Sequence, residues 1–219
     1  MPTLIDRSLR EDNPWSRLCQ SVLRGLKRLG VTICLIETRA ADQADAITNI
    51  PAGFSVGRLS ATACRDLLAN AELRVSEAFL DAALARGDQC NAVLDDDGAI
   101  VAYGWTSTTL APHDGDLEVV VPAQHSYGYK ALTLSSHRGH NFFPLLIQTG
   151  ARMSVEQGVP YRVGFAELIN QASLRAMRRA GYDTVGFAGY LRLGGRVVTF
   201  RSPGVRRLGF RFRRAQPLM

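Results

Sequence analysis

The most informative stretch of the sequence for predicting the fold is Lys130-Ala-Leu-Thr-Leu-Ser-Ser-His-Arg-Gly-His-Asn-Phe-Phe-Pro-Leu-Leu-Ile147. It begins inside a predicted strand, residues 127–134, and a short loop follows. Apolar and small residues then recur at the spacing of one helical face, at Phe143, Leu146, Ile147, Gly150 and Ala151. A loop that opens a helix lies beside unpaired backbone N–H groups and the positive end of the helix dipole. The stretch therefore predicts an anion site suited to phosphate.

Three residues of this loop support a ligand-binding role. Gly139 lets a ligand approach the backbone closely, and Asn141 tolerates the left-handed conformation that otherwise requires glycine. Arg138 offers a charge-assisted hydrogen bond to an anion. An ordinary strand–loop–helix crossover explains the same residues, so the interpretation depends on a second segment.

That second segment follows about thirty residues later and reads Asn170-Gln-Ala-Ser-Leu-Arg-Ala-Met-Arg-Arg-Ala-Gly-Tyr182. Together the two segments resemble those of the GNAT superfamily of N-acyltransferases, whose cofactor loop is R/Q-x-x-G-x-G/A. Arg138 matches the first position, whereas Asn141 and Phe143 replace the small residues, so the loop is degenerate. A variant pattern, R-G-x-G-Ψ-aromatic-P-x-L-L, resembles residues 138–146 more closely. The family's later pattern N-x-x-A/S-x-x-x-Y-x-x-x-G-F is matched at Asn170, Ser173 and Gly181.

The rest of the chain fits an α/β class with a mixed sheet. Helical spacing of apolar residues over 18–29, ended by Gly30, precedes a predicted strand at 31–36. Further helices are predicted at 61–70, 76–86 and 173–180, and further strands at 91–94, 99–106, 162–166, 185–193 and 196–200. The resemblance covers roughly residues 54–200 and implies a GNAT-like central mixed sheet with helices on both faces. We therefore divide the chain into a helix–strand extension (1–52), an acyltransferase domain (53–200) and an Arg-rich tail (201–219).

The resemblance also implies a ligand, acetyl-CoA or another acyl-CoA, as co-substrate. It would lie where two neighbouring parallel strands splay apart, with its diphosphate on the loop and its pantetheine arm along the preceding strand. The implied contacts are Leu132, Thr133, Leu134, Arg138, Gly139, His140, Asn141, Phe142, Phe143, Asn170 and Ser173. A small-molecule amine would attack the thioester directly, with a backbone N–H polarising the developing oxyanion.

The usual catalytic residues of the family are absent from this sequence. The tyrosine that often protonates the leaving thiolate maps to Met177, and the early glutamate base maps near Tyr127. Because an alkyl amine has a pKa near 10.4, a base or a water chain must still take its proton. Tyr182 or Tyr190 are alternative acids. The alternative bases are Glu118, Tyr129 and Glu167.

The charge of the chain is concentrated at its end. The net charge is +6, yet the residues from 191 onward contain eight arginines and no acid. In this part, arginines alternate with phenylalanines at residues 210–213, which predicts an edge strand with one apolar face. Two alternative functions follow from this charge. One is a GNAT-fold enzyme that takes its acyl group from an acidic acyl carrier protein. The other is a non-catalytic module that binds nucleic acid or an anionic membrane through the tail.

The amino-acid composition excludes several other classes of protein. The chain has 219 residues, of which 46% are hydrophobic and 21% charged, a globular composition. No apolar run reaches the roughly 20 residues of a membrane span, and the N-terminus has no apolar signal region. Neither the four cysteines nor the four histidines have metal-ligand spacing, so no metal is expected. We expect a cytoplasmic protein with reduced thiols.

Overall fold

The computed structural model describes residues 14–41 and 50–215. Its helices are α1 (Pro14–Arg28), α2 (Glu77–Ala85), α3 (Phe142–Glu156), α4 (Gln171–Arg179) and α5 (Pro203–Leu208). The strands are β1 (Val31–Ala40), β2 (Phe54–Arg58), β3 (Gln89–Asp95), β4 (Ile100–Ser107), β5 (Leu110–Pro112), β6 (Leu117–Val120), β7 (His125–Thr133), β8 (Tyr161–Glu167), β9 (Asp183–Leu193), β10 (Arg196–Arg201) and β11 (Arg211–Arg214). The other parts of the predicted extension and tail, residues 1–13, 42–49 and 216–219, lie outside the described residues.

Eight strands form one mixed sheet in the order β10-β9-β1-β8-β7-β4-β3-β2. The pair β7–β8 is parallel, and the other neighbours are antiparallel. Strand β1, which the sequence assigned to an extension, lies between β8 and β9 near the centre of this sheet. The N-terminal segment thus supplies a strand of the central sheet, because its apolar residues Cys34, Leu35 and Ile36 are buried there.

Helices cover both faces of the sheet, as the sequence predicts. On one face α3 packs against β3 and β4, where Leu145 and Leu146 contact Val93 and Ala102. Helices α1 and α4 cover the same face beside β1 and β8. On the other face, α2 and the preceding 3₁₀ turns bury a cluster that includes Tyr103 and Trp105 of β4.

The arginine-rich tail is folded onto this second face. Strand β11 pairs antiparallel with β6 at the edge of a three-stranded sheet in the order β11-β6-β5. Phe210 and Phe212 are buried, whereas Arg211 is exposed. The alternation of arginine and phenylalanine therefore produces an edge strand with one apolar face, as predicted. The phenylalanines attach the tail to the core.

Several local predictions need correction. The helix expected at 61–70 is two 3₁₀ turns, Ala63–Leu68 and Ala71–Leu73. Strands β2, β5 and β6 and helix α5 were not predicted. Residues 49–53, Asn-Ile-Pro-Ala-Gly, also predict a turn; it begins outside the described residues, and its Gly53 has φ +83°. The apolar stripe of α3 is also rotated from the expected one, since Phe142 and Leu145 are buried while Phe143 is 57% exposed.

Candidate active site

The two parallel strands at the centre of the sheet separate soon after they meet. Strands β7 and β8 pair only at His125 with Tyr161 and at Ser126 with Arg162. Beyond this point β7 continues for seven residues to Thr133 and β8 for five to Glu167, with no ladder between them. The facing backbone edges are therefore open to a ligand that can supply hydrogen bonds.

A β-bulge bends β7 away from its parallel neighbour. Tyr103 of β4 faces Leu132, whereas Trp105 faces Tyr129, so β7 contains one extra residue in this interval. Within it Lys130 has a positive φ of 45°. Bulges of this kind bend the strand and increase its twist. The bulge therefore accounts for the opening between β7 and β8.

The open edge of β7 leads directly to the N-terminus of α3. Asn141 is the N-cap of this 15-residue helix and has φ 57°, the left-handed conformation that the sequence allows it. Its side chain makes no capping hydrogen bond, and the first turn contains no acidic residue. The backbone N–H groups at the helix start therefore remain available to an anion. Gly139 has φ +93° and also needs left-handed freedom.

A cavity of about 260 Å³ fills the space between the diverging strands, and we call it the strand cleft. Helices α3 and α4 form its walls. Its lining residues are Tyr127, Gly128, Phe143, Ile147, Arg162, Val163, Gly164, Phe165, Ser173, Ala176, Met177, Ala180 and Tyr182. Glycine keeps the floor open, because a Cβ on Gly164 would lie 2.7 Å from the Met177 Cε.

A second cavity of about 280 Å³ lies beneath α3, and we call it the side cavity. It shares Tyr127, Gly128, Phe143, Ile147 and Arg162 with the strand cleft, so the two adjoin. Its other lining residues are Asn91, Gly104, Trp105, Thr106, Tyr129, Lys130, Ala131 and Leu146.

The structure places the predicted cofactor residues in different positions relative to the strand cleft. Leu132 and Thr133 form the end of β7. Phe143 and Ser173 line the cavity itself. The Asn170 side chain caps α4 by accepting a hydrogen bond from the Ser173 N–H at 3.1 Å. Asn170 therefore positions the wall helix, and this structural role accounts for the residue without a ligand.

Other predicted contacts have structural partners of their own. Both backbone groups of Leu134 are engaged, since its N–H donates to the Val101 carbonyl and its carbonyl accepts from the His137 N–H. The ring of Phe142 is buried, with His140 stacked on it. Arg138 is exposed beside the loop, and the described residues form no ion pair with it.

Of the predicted catalytic residues, Tyr182 alone lines the strand cleft. The Arg39 guanidinium lies over its ring, with Cζ 5.3 Å from the ring centroid. The Tyr190 hydroxyl instead lies near His113 and Asp114 on the opposite face of the sheet, where burial raises the pKa of Tyr190 to about 12.

The three predicted bases lie away from the cleft lining. Tyr129 donates to Asp88 at 2.6 Å, and burial with this carboxylate raises the pKa of Tyr129. Glu118 accepts a hydrogen bond from Arg213 in the small sheet, and Glu167 is paired with Lys27. Among the described residues no group of three or more ligating side chains could hold a metal ion.

The residues that shape the floor of the cleft were not predicted from the sequence. Arg162 was assigned only to a strand, and Gly128 and Gly164 received no role. The available signal was a charge beside Val163 in an otherwise apolar segment. Burial of that charge depends on which helices cover β8, which local spacing does not show.

Comparison with known proteins adds a likeness of fold. No family model and no curated protein matches the chain. A Drosophila protein of known structure is similar over 82% of this chain, with a TM-score of 0.51 and 16% identity. A tandem GNAT protein from the clavulanic acid biosynthesis pathway is similar over 86%, with a TM-score of 0.49 and 14% identity. A GCN5-related N-acetyltransferase from Kribbella flavida is similar over 85% of this chain and 65% of its own length, with a TM-score of 0.46 and 18% identity.

Structures of GNAT N-acetyltransferases are thus among those that this chain resembles. The chain spans 58% of the length of the Drosophila protein and 55% of the tandem GNAT protein. No helix in residues 14–41 or 50–215 is long and apolar enough to cross a membrane.

Proposed function

We propose that the protein is an N-acyltransferase of GNAT type, which moves an acyl group from a coenzyme A thioester to a primary amine. One observation carries the proposal: two parallel strands splay beside an open strand edge that leads to an uncapped helix N-terminus. The GNAT-like motifs of the sequence, Arg138–Leu146 and Asn170–Tyr182, lie at the two helix starts beside this opening.

The residues fit the parts of such a thioester. The N–H groups at the start of α3 and the guanidinium of Arg138 suit a diphosphate. The unpaired edge of β7 suits the amides of a pantetheine arm, and Gly128 and Gly164 leave room for that arm at the floor. Side chains at these two positions would fill the cleft, since a Cβ on Gly128 would lie 2.8 Å from the Arg162 guanidinium.

The chemistry assigned to the cleft is a direct displacement. The amine nitrogen bonds to the thioester carbonyl carbon, the carbon–sulfur bond breaks, and the sulfur leaves with the electron pair. The nitrogen loses a proton to water, and the thiolate gains one, so that an amide and a free thiol result. An open N–H of β7 polarises the carbonyl oxygen. Tyr182, the phenol that lines the cleft, is our candidate for the proton donor.

Thermal stability in the presence of ligand tests the proposal. Coenzyme A or acetyl-CoA at about 100 times its Kd should stabilise the protein by roughly 2.7 kcal/mol. Native mass spectrometry of the freshly purified protein gives an independent readout as bound coenzyme A. A melting temperature that is unmoved by millimolar coenzyme A and several acyl-CoAs would refute the acyl-CoA donor.

Substitution of Asn141 locates the diphosphate. Asn141→Glu places a carboxylate at the helix start and should abolish the stabilisation, because it repels the diphosphate. Asn141→Gly is the matched control, since glycine readily adopts the observed φ of 57° and adds no charge. Binding that survives Asn141→Glu would show that the diphosphate lies elsewhere.

The alternative donors and partners receive less support. Arg192 and Arg214 form ion pairs with Asp116, and Arg213 pairs with Glu118. These contacts neutralise part of the charge on which an acyl carrier protein, a nucleic acid or an anionic membrane would rely. We therefore favour coenzyme A as donor and a small amine as acceptor.

A further inference from the structure

The floor of the strand cleft contains a buried cation, Arg162. It is 1% exposed, and its Nε and Nη1 atoms have no hydrogen-bond partner among the described residues. Of the residues that the structure describes, none that lines the strand cleft or the side cavity is acidic. A buried charge in this state is costly unless an anion or several hydrogen bonds compensate it.

Two glycines seat the guanidinium where the two cavities meet. A Cβ on Gly128 of β7 would lie 2.8 Å from Nη2, and a Cβ on Gly150 of α3 would lie 3.5 Å from Nη1. The guanidinium therefore occupies a space between strand and helix that a larger residue at Gly128 would fill. The glycine at that position keeps the guanidinium at the boundary of both cavities.

Other polar groups converge on the same place. The Thr106 Oγ1 lies 2.8 Å and the Asn91 Oδ1 lies 3.9 Å from the Cβ position on Gly150, around which the Arg162 Nη1 is also found. The Asn91 side chain is held there because its Nδ2 donates to the Leu146 carbonyl at 2.8 Å. The guanidinium and the Thr106 hydroxyl can both donate to a carboxylate, whereas the Asn91 amide presents only its acceptor oxygen here, because its nitrogen is engaged.

We infer that the acyl group carried by the thioester ends in a carboxylate, which Arg162 binds at the mouth of the side cavity. The inference rests on the proposed function and names its acyl class, a dicarboxylic half-thioester such as malonyl or succinyl. The thioester carbon lies in the strand cleft, and the chain turns past Gly128 toward the side cavity. The diphosphate occupies the start of α3, so the acyl end is the part of the ligand that reaches Arg162.

Calorimetric titration with matched thioesters tests the inference without turnover. Succinyl-CoA and butyryl-CoA differ by a carboxylate in place of a methyl group, and malonyl-CoA and propionyl-CoA form the same pair one carbon shorter. The wild-type protein should bind at least one acidic thioester tenfold or more tightly than its neutral counterpart. Free coenzyme A serves as the reference ligand in each titration.

Variants of Arg162 locate the preference. Arg162→Met, which has similar length and no charge, should reduce the preference to about one while the affinity for free coenzyme A changes less than threefold. Its melting temperature without ligand should not fall, because the variant removes a buried charge whose Nε and Nη1 make no hydrogen bond. Arg162→Lys keeps the charge and should keep part of the preference. Arg152→Met, which removes an exposed arginine of α3 that lines neither cavity, is the control and should keep all of it.

The outcomes separate the two claims. Equal affinities within both thioester pairs, or a preference that survives Arg162→Met, would overturn the carboxylate inference and leave the acyl-CoA donor intact. Failure of every thioester and of free coenzyme A to bind would overturn the proposed function and, with it, the acyl assignment. The wild-type titrations alone give this distinction, so the test does not depend on the folding of a variant.

Discussion

The two faces of strands β7 and β8 have opposite characters. Toward α3 and α4 the strands present Gly128, Arg162 and Gly164, and this face is open to two cavities. Toward the tail they present the rings of Tyr127 and Phe165, whose centroids are 5.4 Å apart, although both residues also line the strand cleft where the strands part. One face has little side-chain bulk and contains the buried Arg162, whereas the other is filled with aromatic rings.

The aromatic face is closed by the C-terminal segment. Phe165 contacts Phe210 at 5.7 Å and Phe212 at 5.2 Å between ring centroids. His113 and Tyr190 complete this cluster. The two faces of β7 and β8 therefore differ in role. The aromatic face stabilises the splayed strands, and the glycine face leaves space for a ligand.

The largest expected effect comes from breaking the aromatic face. Phe212→Ala should lower the free energy of unfolding by about 3–5 kcal/mol, because Phe212 is fully packed in the cluster. Chemical denaturation measures the loss. Arg211→Ala, an exposed neighbour on the same strand, should change stability by about 0.5 kcal/mol or less. A loss below about 1 kcal/mol for Phe212→Ala would show that the tail is not a structural part of the domain.

Removing the hydroxyl of one tyrosine on each face tests which face takes part in catalysis. Tyr182→Phe, in the strand cleft, should lower kcat by roughly 10²-fold with little change in stability, because it removes the candidate proton donor. Tyr190→Phe, on the aromatic face, is the matched control and should leave kcat nearly unchanged. Thiol release from acetyl-CoA, malonyl-CoA and succinyl-CoA with a panel of primary amines measures both. Met177→Leu should also be nearly silent.

If Tyr182→Phe retains full activity, the thiolate leaves without this phenol, and water supplies the proton. If Tyr190→Phe is the inactive variant, the division of tasks between the two faces is wrong.

The pH dependence of stability reports on the aromatic face. Burial lowers the pKa of His113, against the smaller opposing effect of Asp114. The unfolded chain therefore binds a proton at higher pH than the folded protein does. The stability contributed by neutral His113 is complete above its unfolded pKa of about 6.5 and falls as the pH drops toward the folded pKa, by at most about 1.4 kcal/mol per pH unit.

Melting temperatures between pH 8 and pH 5 would show this loss. His113→Gln should flatten the profile in this range. A wild-type profile that rises on acidification through pH 6 would contradict the assigned direction.

The smallest effect concerns the space in the cleft. In Gly164→Ala the new Cβ would meet the Met177 Cε at 2.7 Å and the Tyr182 ring at 3.3 Å. Met177 ends in a flexible group that can move, so we expect little change in stability but severalfold weaker binding of coenzyme A, measured by calorimetry. Gly57→Ala on β2 meets no atom within 4 Å and is the control. Unchanged affinity in Gly164→Ala would place the ligand away from this floor.

Local patterns predicted much of the framework. The helix α3 and the strand before it, and the helix predicted at 76–86, follow from residues close in sequence. The loop conformation was also predictable, because asparagine tolerates the left-handed conformation, which Asn141 adopts. Such features depend on backbone preferences and hydrogen bonds within a few residues.

Other features depend on contacts between distant segments. The place of β1 between β8 and β9 requires partners more than 120 residues away in the chain. The bulge at Lys130 appears only in the register with β4, and the face on which Tyr129 or Tyr190 points follows from that register. A one-residue change in register exchanges the two faces of a strand, which is why residue type alone did not assign these side chains.

Neighbouring residues set many of the helices and strands, the loop conformation at Asn141 and the alternation of arginine and phenylalanine in β11, so these features could be predicted from the sequence. Only the tertiary structure decided that β7 and β8 separate after two paired residues and that Arg162 lies buried between Gly128 and Gly150. Burial is a property of the elements that pack around a residue, and an arginine in a strand acquires an unusual environment only when helices exclude water from it.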